Sequence, residues 1–106
     1  MSKTIKSPGG VLVRVIEALN GFKTKYGHWP KTLELDNETI ALLATQSLTP
    51  RGFFQLHSKI DLEVGPPLKI LAKGKAVEIF DYGEEGWKSP DGHRHSARQW
   101  LGLDDE

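Results

Sequence analysis

The sequence predicts an α+β fold: three helices, a small antiparallel sheet with a β-hairpin over about residues 68–82, and a short C-terminal helix. Two observations carry that prediction. Up to about residue 60 most apolar residues recur at helical spacing, whereas beyond it they mostly alternate in the period of strands. Cap-like residues, prolines and glycines fall between those runs rather than inside them.

Ser7-Pro8 reads as a helix start, with serine accepting a free amide and proline at the first helical position. Val11, Leu12, Val15, Ile16, Leu19, Phe22 and Tyr26 then form one apolar stripe, so a helix is predicted over residues 8–26, stopped by Gly27 and weakened near its end by Gly21. Pro30 holds Trp29 extended, and "TLEL" alternates as a half-buried strand. Asp36 or Asn37 caps a second helix over roughly residues 37–47, with Leu35 and Ile40 placed for a hydrophobic staple. Thr49-Pro50 repeats the cap-then-proline signal, and a third helix runs from Pro50 to about Ser58. Phe53, Leu56 and Ile60 fall on one side of it, and Arg51, Gln55, Ser58 and Lys59 on the other; Gly52 lowers its propensity.

"KIDLEV" alternates and "GPP" breaks it. "LKILA" and "AVEIFDY" then flank a tight turn predicted through Lys73-Gly74-Lys75. Ser89-Pro90-Asp91-Gly92 has the residues of a type I turn, and Ser96 caps a short helix ended by Gly102, with Trp100 and Leu101 docked on the core. A single domain spans residues 1–106, with fraying expected over 1–6 and 103–106.

At 38% hydrophobic and 26% charged, the composition is that of a folded soluble chain. The absence of cysteine excludes disulfides, zinc–thiolate sites and thiol catalysis, and fits a cytoplasmic location. "VLVRVIEAL" is interrupted by Arg14 and Glu17, so neither a signal peptide nor a membrane segment is expected. Fourteen basic residues balance fourteen acidic ones, which argues against a dedicated nucleic-acid binder. The distribution is uneven, with a net charge of +5 over residues 1–31 and −3 over residues 32–68.

The order helix, strand, helix, helix, hairpin is similar to that of winged-helix domains, by order alone over roughly residues 8–82. That resemblance implies a third helix in the major groove and a hairpin tip on the phosphate backbone. The contacts would then fall to Arg51, Gln55, Ser58 and Lys59, and to Lys73 and Lys75. The strand-like "KIDLEVGPP" departs from the pattern, as do the acidic residues Glu34, Asp36, Glu38, Asp61 and Glu63.

No metal site or cofactor is expected. His93 and His95 with Asp91 lack a defined ligand motif and read as turn and surface residues. Asp81, Glu84 and Glu85 give no sign of two contrasting environments, and Ser96 beside His95 is adjacency rather than a triad. Trp87 lies in a turn-rich stretch and, with Lys88, Arg94 and Arg98, is a candidate anchor for a partner protein. The expected function is therefore non-enzymatic protein binding, with winged-helix-like DNA binding as the alternative and an enzyme without a local motif as the third reading.

Overall fold

The first helix, α1 (Val11–Tyr26), buries Leu12, Val15, Ala18, Leu19 and Phe22, the stripe that its sequence spacing predicts. The computed structural model that shows this describes residues 4–6, 10–86 and 96–103. The helix starts at Val11 rather than at residue 8 because Gly10, its N-cap, sits at φ 62°, a conformation that ends the helical path and favours glycine. Ser7 and Pro8 lie outside the described residues. Gly27, at φ 81°, closes the other end by donating its N–H to the Lys23 carbonyl.

Strand β1 (Thr32–Leu35) buries Leu33 and Leu35 and turns Thr32 and Glu34 to the opposite face. Asp36 then caps α2 (Asn37–Leu42), its Oδ1 accepting the Thr39 N–H at 2.8 Å. Its other oxygen accepts the Leu68 N–H at 2.9 Å. These bonds, the one from Leu68 foremost, hold the Asp36 carboxyl below its usual pKa. The helix predicted through residue 47 instead ends in a π-helical turn, Leu43–Ser47, closed by the Leu48 N–H donating to the Leu43 carbonyl. Helix α3 (Pro50–Lys59) follows, with Thr49 as N-cap and Pro50 in its first turn.

Three strands complete the sheet: β2 (Asp61–Val64), β3 (Ile70–Lys73) and β4 (Ile79–Asp81), in the order β2-β1-β3-β4. The α+β class is as predicted, but the sheet is mixed rather than antiparallel: β1 pairs parallel to β2 and antiparallel to β3. The segment "DLEV" is responsible, entering the sheet from a helix on the same side as the start of β1. The hairpin turn also differs from prediction. It lies at residues 75–78, where Gly74 N–H donates to Glu78 O and Glu78 N–H to Lys75 O, with Ala76 at φ 56°. Lys73 is thus a strand residue, and the Gly74 backbone packs against Phe22.

Leu33, Leu35, Ile70, Ala72 and Phe80 all face one core, which α1, α3 and the last helix cover. After β4, a short α4 (Tyr82–Glu85), not anticipated from the sequence, is capped by Asp81. Helix α5 (Ala97–Leu101) has the Ser96 cap and Gly102 stop that were predicted, and docks on α1 through the Ala97 N–H donating to Asn20 Oδ1 at 2.8 Å. Trp100 is half buried and stacks on Trp29, with ring centroids 4.7 Å apart and planes 10° from parallel.

The expected fraying does not extend to residues 4–6 or to Leu103. Ile5 is buried and bridges Leu48, Lys6 N–H donates to Ser47 O, and Leu103 is buried beside α5. The Thr4 backbone crosses α3 so closely that a Cβ on Gly52 would meet the Thr4 carbonyl oxygen at 1.9 Å. Gly52 is therefore a packing requirement as well as a weak point in the helix.

Leu19 is fully buried, and Leu19→Ala is expected to cost about 2–5 kcal/mol in denaturant unfolding. A second prediction concerns Tyr82, whose hydroxyl donates to Glu17 and whose pKa that bond, reinforced by burial, raises to about 12. The folded pKa lies above the unfolded value of about 10, so this stabilisation is complete below about pH 10 and is lost as pH rises through about 12. The stability difference between wild type and Tyr82→Phe should shrink over that window, and ultraviolet titration of the variant should lack the phenol ionising near pH 12.

Candidate functional site

Helix α3 runs into β2 with only the extended Ile60 between them, so the helix lies along the flank of the strand. Gly52 and Leu56 turn to the core and Phe53 is half buried. Phe54, the next residue, falls off that stripe and is 62% exposed. The His57 ring lies edge-on to both phenylalanines, 5.5 Å from each centroid. Between α2, α3 and β2 runs an open groove of about 540 Å³. Ile40, Phe53 and Leu62 form its apolar wall with the His57 ring beside them, and Asp61 and Glu63 line its rim. Val64, at the end of β2, is 63% exposed.

The backbone gives this groove its chemical character. Asp61 N–H donates to Lys31 O and Gly65 N–H to Leu35 O, so the odd-numbered residues of β2 turn their polar groups toward β1. By strand alternation, the N–H and C=O groups of Leu62 and Val64 point outward, along the free edge beside the groove. The opposite edge, β4, is treated differently. Ile79 N–H donates to the Tyr26 hydroxyl, Ile79 O accepts from Tyr26 and from Lys25 Nζ, and Asp81 N–H donates to Glu85 Oε2. Lys25 in turn pairs with Glu85 at 2.7 Å, a hydrogen bond that raises the lysine pKa. Side chains thus occupy the outward groups of β4, whereas among the described residues no hydrogen bond engages those of β2.

The sequence-derived DNA-contact residues are only partly available. Arg51, Ser58 and Lys59 are exposed and Gln55 is half buried. Ser58 Oγ donates back to the Gln55 carbonyl, and Lys59 Nζ sits 5.8 Å from the centre of the Trp100 ring. Lys73 is paired with Glu34 at 2.5 Å, and its pKa is raised by that hydrogen bond and further by Glu63. Lys75 is exposed in the hairpin turn. Of the predicted protein-binding residues, Trp87, Lys88 and Arg94 lie outside the described residues, as do His93, His95 and Asp91. Arg98 is half buried on α5.

A second, smaller cleft of about 290 Å³ lies between Arg14, Thr39, Leu68, Ile70, Tyr82 and Gly83. Its Leu68 is 96% exposed at φ 64°, held by the bond to Asp36. Sequence analysis missed Phe54, His57 and Val64 as a surface. The available signal was the pair Phe53-Phe54: consecutive helical residues are 100° apart, so both cannot sit centrally on a narrow core stripe.

No family model, curated protein or solved structure matches the chain.

Neighbouring residues of α3 give a paired test of this geometry. Phe54→Ser should change unfolding stability by less than about 0.5 kcal/mol, because the ring is largely in water. Leu56→Ala, two residues on and fully buried, should cost about 2–5 kcal/mol. Equal losses at the two positions would place Phe54 in the core.

Proposed function

We propose that this chain is a small, non-enzymatic protein-binding module of the cytoplasm and that it engages its partner through the groove between α3 and β2. The observation that carries this reading is the outward backbone edge of β2 beside the groove, with Val64 on that strand 63% exposed and Phe54, packed on the groove residue His57, 62% exposed. Main-chain groups supply directional hydrogen bonds and the apolar wall supplies burial, the combination used when proteins recognise protein segments. The DNA-binding alternative is less well supported, since Lys73 is neutralised by Glu34 and Lys59 is engaged with Trp100.

Affinity copurification from the native cell, with and without nuclease, tests the proposal. Wild type should retain a nuclease-resistant protein partner that Phe54→Asp loses while unfolding at the same denaturant concentration. A nuclease-sensitive partner overturns the reading in favour of nucleic acid. A protein partner retained by Phe54→Asp moves the site away from the groove.

A further inference from the structure

The free edge of β2 has two unlike faces, and together they specify the chemistry of an incoming strand. On the core side, Leu62 and Val64 continue the apolar rows of Leu33 and Leu35, and the wall of Ile40 and Phe53 extends them. On the outer side stand Asp61 and Glu63, both exposed, with Glu63 opposite Glu34 in the β1–β2 register. The Glu34 carboxylate has Lys73 as its contact partner, and among the described residues no contact ion pair engages Asp61 or Glu63, although Lys73 also acts on Glu63 at longer range. Side chains directly across neighbouring strands lie close enough to attract or repel according to charge.

A second copy of this chain is a poor occupant. Two-fold antiparallel pairing of β2 with itself, centred on Leu62 or on Glu63, sets Asp61 opposite the other copy's Glu63 or Glu63 opposite its own copy, a like-charge contact that disfavours the pair. A cationic strand meets the opposite situation. Resting on the protein-binding reading above, we infer that the partner is an extended segment of alternating apolar and basic residues, added to β2 as a fifth strand. Its apolar side chains enter the groove beside Leu62 and Val64, and its basic ones lie over Asp61 and Glu63. Its backbone pairs with the outward N–H and C=O groups of Leu62 and Val64. The four residues of β2 offer about 13 Å of edge, which matches a short linear segment rather than a folded surface.

The probe is a capped, fluorescently labelled eight-residue peptide of alternating lysine and valine, compared with one of alternating glutamate and valine, by fluorescence anisotropy on the full chain. The cationic peptide should bind at least about tenfold more tightly than the anionic one. The double variant Asp61→Lys with Glu63→Lys should invert that preference. Val64→Pro removes one outward N–H without removing a bond to β1, and should weaken binding by about tenfold. N-methylating alternate residues of the peptide, in the register that blocks its pairing groups, should abolish binding with no change to the protein, which keeps the test valid if a variant misfolds. Binding of both peptides alike, no binding of either, or full binding of the N-methylated peptide overturns the inference. So does a stable dimer at assay concentration that Val64→Pro dissociates. If neither peptide binds while the copurified protein is still lost in Phe54→Asp, strand addition fails and the protein-binding reading stands. If the cationic peptide binds but no native protein is retained, that reading fails on its own test.

Discussion

The parallel pairing of β1 with β2 is the constraint on which the rest of this structure depends. Parallel neighbours cannot be joined by a tight turn, so the chain must leave the sheet, cross it and return. Helix α2, the π-helical turn and α3 are that crossing, and Leu43, Leu48, Leu56 and Ile60 bury it on the face that α1 also covers. β1 thereby becomes an interior strand, and β2 is left outermost. α3 enters β2 with only Ile60 between them, and Phe53 and His57 of the helix line a groove with Leu62 of the strand. The groove is a geometric consequence of that junction.

The two sheet edges differ in how their outward groups are satisfied. On β4, Tyr26, Lys25 and Glu85 reach the backbone from α1 and α4 and leave little for another strand to pair with. On β2, Asp61 and Glu63 stand exposed on the outer face, and among the described residues no side chain takes up the outward backbone groups. A strand edge with unfilled backbone groups can still pair with another strand, whereas one filled by side chains cannot. The balanced net charge of the chain conceals this local arrangement.

Close contacts far apart in sequence fix the helical layer. The segment at residues 4–6 crosses α3 over Gly52 and pairs with the end of the π-helical turn. Trp29 and Trp100 stack between Lys23 on one ring and Lys59 on the other, joining α1, the loop before β1, α3 and α5. Asp36 links the cap of α2 to the loop that starts β3, holding Leu68 in a left-handed conformation that costs about 1–2 kcal/mol for a residue with a side chain.

What the sequence determined by itself was local. The stripe of α1, the Thr49-Pro50 start of α3, the alternation of "TLEL" and the Ser96 and Gly102 limits of α5 all depend on neighbours within a turn or two, where capping, side-chain periodicity and backbone preference act. The tertiary structure decided what depends on distant partners. "DLEV" reads as a strand in isolation, but only its pairing with Thr32–Leu35 makes it parallel and outermost in the sheet. Lys73 reads as part of a turn until the hairpin closes at Ala76 and Glu34 takes up its charge. Ile5 reads as part of a frayed end until Leu48 supplies a bridge. The outward direction of the Leu62 and Val64 amides follows from which neighbour β2 pairs with, and strand pairing is set by burial and register across the whole sheet rather than by any local residue preference.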